Sequence, residues 1–174
     1  VLLQGVLYYA PNTDAATWLA TTIAPALRRL VPDAVVRLVG DTNPTVDALH
    51  DPPRVTVTGF VTDIAVELSG ADLVAVPLRS GSGTRVKVLE AFAHRLPVVS
   101  TTLGAEGLGA EDGVHVLLAD DADAFARACA RVLTDAALRA RMTAAAHALF
   151  LRDHTRAAGR RSVHELVAPL VGNA

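Results

Sequence analysis

Residues 77–90 read PLRSGSGTRVKVLE, and they bring together the residue types that bind phosphate. Gly81, Ser82, Gly83 and Thr84 are small and let a backbone approach a ligand closely. A helical pattern follows, with Val86, Leu89 and Ala93 on one side and Lys87, Glu90 and His94 elsewhere, and Ser82 or Thr84 is the expected cap. Arg85 and Lys87 then fall in the first turn, where a cation is disfavoured by the positive end of the helix dipole. An anion offsets that repulsion, so a glycine-rich approach, a helix mouth and two cations together describe a phosphate site. Helical side chains lean toward the N-terminus, so the Glu90 carboxylate can reach back toward the same mouth and accept hydrogen bonds from sugar hydroxyls. The plainer alternative is an exposed Lys87–Glu90 ion pair at i,i+3 spacing beside glycines that merely turn the chain.

The elements that must hold this loop are short apolar runs alternating with helical patterns. Strands are expected at Leu2 to Ala10, Val35 to Val39, Val55 to Thr58, Leu73 to Val76, Val98 to Thr101 and Val114 to Leu118. Between the first two, Ala16, Leu19, Ile23, Leu27 and Leu30 form a helical stripe that Asn12 or Thr13 can cap and that Pro25 should kink or interrupt. Short helices are expected at Thr45 to His50 and Thr62 to Ser69, and longer ones at Ala124 to Leu133, Ala136 to Leu151 and Arg156 to Val171. This rhythm predicts an α/β fold, a doubly wound, mainly parallel six-stranded sheet in the order 3-2-1-4-5-6. In that order the first and fourth strands meet at the switch point, so the loops at Pro11 to Asp14 and Leu78 to Arg85 flank one crevice.

The chain of 174 residues is one domain's worth, and its hydrophobic content of 51% is enough for a core. No apolar run is long enough to span a bilayer. Sixteen basic and eighteen acidic residues leave a net charge of −2, which offers no basic field for nucleic acid. A single cysteine, Cys129, sits in an apolar helical setting and reads as a packed thiol in a reducing, cytoplasmic compartment. Val1 is not an initiator residue and the chain opens directly on a strand pattern, which suggests a segment of a longer protein.

Several chemistries lack their residues. The first strand is not followed by G-x-G-x-x-G, and neither a G-x-x-x-x-G-K-[ST] loop nor a G-x-S-x-G elbow occurs. The six histidines never take a metal-ligand spacing, so they are assigned to surface or cap positions and no metal site is expected.

Taken in order, Tyr9-Ala10-Pro11-Asn12 with Asp14-Ala15, Val39-Gly40, Val57-Thr58-Gly59-Phe60-Val61 with Asp63, Pro77-Leu78, and Gly81-Ser82-Gly83-Thr84-Arg85 with Lys87 and Leu89-Glu90-Ala91 make a familiar series. Pro97-Val98-Val99-Ser100-Thr101 and Gly104-Ala105-Glu106-Gly107-Leu108 complete it. It resembles the C-terminal, donor-binding domain of group 1 (family 4) glycosyltransferases of the GT-B fold, over nearly the whole chain. The resemblance implies that Glu90 binds the ribose hydroxyls of a nucleotide-sugar donor. It implies that Arg85 and Lys87 neutralise the diphosphate, helped by the N–H groups of Gly83 and Thr84, with Asn12, Gly81 and Ser82 among the donor contacts. The turn Gly59, Phe60 and Val61 would hold the base, and Thr102, Gly104, Ala105, Glu106 and Gly107 would lie near the sugar or diphosphate.

The resemblance further implies transfer with retention of anomeric configuration, no bound metal or other cofactor, and an N-terminal acceptor domain as partner, without which this chain would bind donor and hardly transfer it. Membrane association, if there is any, would come only through parts outside this chain. Ser82 stands where the family pattern has its first glutamate, and Arg95 stands where many relatives place a glycine after the helix. The first loop, Pro11 to Asp14, lacks the basic residue many relatives carry, so Arg85 is expected to take that share of charge. A binding or regulatory module without turnover is the competing reading, motivated by Ser82. A nucleotide-sugar epimerase ranks last, since its acid/base groups are not recognisable. The arginines at 139, 141, 152, 156, 160 and 161 read as a solvated face rather than a membrane stripe, and Val163, Leu166 and Leu170 as an apolar side of the last helix that can dock on the missing domain.

Overall fold

The computed structural model describes residues 1–171, including all side chains but those of Ser162, Glu165, Leu166, Pro169, Leu170 and Val171. Six strands form one sheet: β1 (Leu2–Gln4), β2 (Val36–Val39), β3 (Val55–Gly59), β4 (Val74–Val76), β5 (Val98–Ser100) and β6 (Leu117–Leu118). Their order is β3-β2-β1-β4-β5-β6 and every pairing is parallel, which is the doubly wound topology expected from the sequence. The four strands nearest the middle of the sheet are mostly apolar because both faces there are covered, whereas the edge strand β3 is only partly buried. Leu2, Leu3, Leu38, Val74, Val98 and Val99 are all fully buried.

The helices are α1 (Ala10–Trp18), α2 (Ala24–Leu30), α3 (Pro44–Asp47), α4 (Ile64–Ser69), α5 (Val86–Ala93), α6 (Ala122–Thr134), α7 (Ala136–Asp153) and α8 (Arg156–Val171). α2 packs against α6, and α5 against α7. Trp18 of α1 meets Phe125 of α6 edge to face at 6.1 Å. Between α1 and α2 the backbone widens into a π-type turn, Leu19–Ile23. Pro25 has no N–H to donate and its ring crowds the carbonyl four residues back, so the interruption falls where expected.

Three expectations are corrected. β1 ends at Gln4 rather than Ala10, because Gly5 takes φ 134° and leaves the extended region. Its N–H still donates to the Val39 carbonyl at 2.9 Å, but the chain then turns, with the Tyr8 N–H on the Asp41 carbonyl. The apolar residues that imitate a longer strand, Leu7 above all, are buried from a turn. α1 is capped neither by Asn12 nor by Thr13, since Pro11 already starts the helix at its first turn. Their side chains reach backward instead: the Asn12 amide donates to Val6 O at 2.8 Å and the Thr13 hydroxyl to Leu7 O at 2.6 Å. Nor is α5 capped by Ser82 or Thr84. Its N-cap is Arg85, without a side-chain cap bond, because Gly81 and Gly83 keep the loop wide at φ 109° and 94°.

Shorter shifts have local causes. Asn43 and Asp63 accept from the N–H groups of Val46 and Ala65 and so set the starts of α3 and α4. The sixth strand begins late because Glu111 O gathers the N–H groups of Val114, His115 and Val116 into a turn. Arg139 leaves the expected solvated stripe to donate to Val132 O and Leu133 O, closing the end of α6, while Arg141, Arg152, Arg156, Arg160 and Arg161 are exposed. Val163 is 61% exposed, whereas the side chains of Leu166 and Leu170 lie outside the described residues.

Candidate functional site

A cavity of about 570 Å³ opens at the switch point, outside the carboxyl ends of β1 and β4. The loop after β1 contributes Gly5, Val6, Tyr8, Tyr9, Pro11 and Asn12, and the loop after β4 contributes Leu78, Ser80, Gly81, Ser82, Thr84 and Arg85. The two loops touch directly: a Cβ on Gly81 would meet Pro11 Cβ at 3.2 Å. They are also bridged by Arg79, whose Nε donates to Asp14 at 3.0 Å while its guanidinium lies 4.8 Å from the centroid of Trp18. That bond to Asp14 raises the Arg79 pKa above its ordinary value.

α5 forms the wall behind these loops, and Val86, Lys87, Val88 and Glu90 all face the cavity. Lys87 is half-buried against Gly5, so close that a Cβ at residue 5 would stand 2.4 Å from its ammonium nitrogen. Burial lowers its pKa, an effect that the nearby Glu90 charge only partly opposes. Glu90 does turn toward the mouth, as expected from its place in the second turn. Its Oε2 accepts from the Gln4 amide at 3.4 Å, and the same amide leans on Lys87 O at 3.5 Å. Gln4 is 2% exposed at the end of β1, and its Oε1 has no partner. The exposed Lys87–Glu90 ion pair of the plainer alternative is not formed: both residues are half-buried and no salt bridge joins them among the described residues.

Arg85 is only 7% exposed. Its Nη2 donates to Glu106 Oε2 at 3.1 Å, and its Nε is buried without a partner. Glu106 belongs to the loop after β5, where Leu103–Ala105 form a 3₁₀ turn. This loop is wedged in place, since a Cβ on Gly104 would stand 2.4 Å from Ser100 Oγ and 2.7 Å from Val76 O. Asp120 accepts from both the N–H and the hydroxyl of Thr102, at 2.8 and 2.7 Å.

The candidate residues therefore divide into groups. Asn12, Gly81, Ser82, Thr84, Arg85, Lys87, Glu90 and Gly104 line the first cavity. Thr102, Ala105, Glu106 and Gly107 line a neighbouring cavity of about 530 Å³ together with Asp120. Gly83 has open space around it. Gly59, Phe60 and Val61 form the turn at the end of β3, where Gly59 O accepts from Gly40 N and Phe60 is 70% exposed, and they lie outside the lining of both cavities.

Gly5, Val6 and Tyr8 escaped the sequence reading because they were absorbed into an overlong first strand, and Tyr9 entered it only within the family series. The glycine directly after three core residues was their available signal. Four histidines hold backbone groups: His50 and His115 accept from Val57 N and Glu111 N, His147 pairs with Phe92 O and His154 with Leu108 O. Cys129 is fully buried, and burial pushes its thiol up to about 12.

The sequence model of the group 1 glycosyl transferases matches residues 1–135. The chain belongs to that family. This glycosyltransferase domain is similar to several solved structures. HepE of Anabaena, solved with UDP and glucose, superposes with a TM-score of 0.71 at 24% identity, over 84% of this chain and 44% of that one. The C-terminal domain of the group 1 protein LpcC of Francisella tularensis gives 0.71 at 17% identity, over 89% and 85%. Sucrose-phosphate synthase of Thermosynechococcus elongatus gives 0.77 at 22%, over 99% and 46%. An uncharacterised 44.6 kDa protein of the cps region of Klebsiella pneumoniae is 24% identical over 136 residues, and the match spans 35% of its length.

Proposed function

We propose that this chain is the donor-binding domain of a retaining glycosyltransferase, that its donor is a nucleoside-diphosphate sugar, and that an N-terminal acceptor domain completes the enzyme. The observation that carries the reading is the single cavity in which the α5 mouth, Lys87, Arg85 and Glu90 converge at the topological switch point. In this reading Lys87 and Arg85 take the diphosphate and Glu90 the ribose hydroxyls. The departing nucleoside diphosphate gains negative charge as the glycosidic bond breaks. A half-buried ammonium, a buried guanidinium and a helix N-terminus stabilise that charge in a setting where electrostatic interactions are strong. No bound metal is required for this step. The neighbouring HepE structure contains UDP and glucose, which supports the donor class.

The test is a melting series with UDP, GDP, ADP, TDP and CDP at millimolar concentration, repeated on Glu90→Ala and on Arg85→Ala/Lys87→Ala. A ligand at a hundred times its Kd adds about 2.7 kcal/mol, a rise in Tm of about 5–10 °C for a domain of this size. One base should raise the Tm of the wild-type chain and lose its effect in both variants. An equal response in the variants would remove the site from consideration.

Ser82 supports a second reading, a donor-binding module without turnover. It lines the cavity where the family pattern has a carboxylate, and a hydroxyl lacks that charge. Sugar transfer or donor hydrolysis by the full-length protein would eliminate it.

A further inference from the structure

We propose that Glu106 is a positioning residue, holding the Arg85 guanidinium in the wall of the first cavity and thereby setting how strongly the site takes a diphosphate, without touching the ligand itself. The inference rests on the donor-binding reading above and reassigns a residue that the family resemblance would place among the direct donor contacts.

The geometry separates the two partners. Arg85 lines the first cavity, whereas Glu106 lines the second, so their ion pair forms the partition between them. The arginine side chain is 6% exposed and the glutamate side chain 68%. A guanidinium remains charged at any working pH. Burial strips it of water, and the N-terminus of α5 repels it because it sits at the N-cap. Its Nε has no partner, and the carboxylate of Glu106 is the acidic group that offsets these costs. Without that carboxylate the long side chain relaxes outward into water and leaves the wall.

Glu106 is suited to this because its backbone is fixed. Gly104 is pressed under Ser100 and Val76, and Thr102 is held twice by Asp120. The loop presents its carboxylate to Arg85 from a rigid support. Simple Coulomb repulsion predicts the opposite functional outcome, since removing a negative charge beside an anion site should tighten binding. A direct sugar contact predicts a third, in which the diphosphate is indifferent to residue 106. The sign of the effect therefore discriminates among the roles.

The experiment is calorimetric titration of the chain with inorganic pyrophosphate, UDP and UMP, on wild type, Glu106→Gln, Glu106→Asp, Arg85→Met and Arg85→Met/Glu106→Gln, with the ligand-free Tm of each recorded. Glu106→Gln should weaken pyrophosphate and UDP about tenfold, the scale of one charge-assisted contact, while UMP weakens less. The UDP-to-UMP affinity ratio therefore falls, which a general loss of structure would not produce. Glu106→Asp should recover part of the affinity, and the double variant should bind no more weakly than Arg85→Met alone. Tighter or unchanged pyrophosphate binding in Glu106→Gln, or additive losses in the double variant, would overturn the proposal while leaving donor binding intact. Failure of the wild-type chain to bind pyrophosphate or UDP overturns it together with the donor-binding reading, and is distinguished by appearing before any substitution is made.

Discussion

Lys87 shows how a residue is tuned by what surrounds it. Desolvation disfavours its charged form, and the absence of a β-carbon at Gly5 is what admits its ammonium so far into the wall. A folded-state pKa below that of the unfolded chain means that the unfolded chain binds more protons between the two values. Across that window stability rises with pH. The cost of the buried charge is present in full below the folded pKa and is gone above the ordinary lysine value of about 10.4. An anionic ligand reverses the preference, because it interacts only with the charged form. Diphosphate affinity should therefore be full below the Lys87 pKa and decline as pH rises through it, before the ordinary lysine range is reached. Titration calorimetry with pyrophosphate between pH 7 and 10 checks this. Lys87→Arg should hold its affinity across the range, and Lys87→Met should lose about tenfold or more at pH 7 while its ligand-free Tm rises. A wild-type affinity independent of pH would show that Lys87 does not carry the anion.

At the scale of elements, the turn after α5 contains a testable conflict. The N–H of Leu96 bonds Ala91 O at 2.9 Å and that of Arg95 bonds Phe92 O at 3.2 Å, the paired bonds of a Schellman ending. Such an ending needs a left-handed residue, and here it is Arg95 at φ 56°, the single non-glycine residue with positive φ among those described. Its side chain is exposed, so nothing in the core depends on it. Arg95→Gly should relieve about 1 kcal/mol of backbone strain and raise the Tm by about 2–4 °C, measured by thermal and urea unfolding, with pyrophosphate affinity unchanged. A lower Tm would mean that glycine's flexibility in the unfolded chain outweighs the strain.

This turn was legible in advance only through the family resemblance, which sets a glycine where this chain has Arg95. The strand order, the glycine loop and the Glu90 carboxylate were legible directly, because alternation, spacing and helical lean are local properties. The early end of β1 was not. Val6, Leu7, Tyr8 and Tyr9 continue an apolar run, and burial of Leu7 from a turn looks the same in sequence as burial from a strand. The Arg85–Glu106 pair was equally hidden, because two oppositely charged residues separated by a helix and a strand carry no periodicity that would join them.

At the scale of the molecule, the chain is shorter than several of the proteins it resembles. The chain spans 35% of the Klebsiella relative and 44% of HepE, and 85% of the LpcC C-terminal domain. Tyr8, Tyr9 and Val86 line the cavity while remaining 58%, 51% and 52% exposed, which leaves large, exposed side chains at its rim. The groups proposed to bind phosphate, Arg85, Lys87 and the N-terminus of α5, all line one cavity of this chain. In the proposed reading donor binding should belong to this chain by itself, whereas transfer should need the proposed acceptor domain. Two measurements separate these functions. The Tm shift given by the responding nucleoside diphosphate should be unchanged by millimolar EDTA, since in the proposed reading the counter-charge comes from Lys87, Arg85 and the α5 mouth. Donor turnover by the chain alone should stay at the uncatalysed rate, and should appear in the full-length protein. A shift abolished by EDTA would place a metal in the site, and turnover by the chain alone would place the whole reaction on this chain.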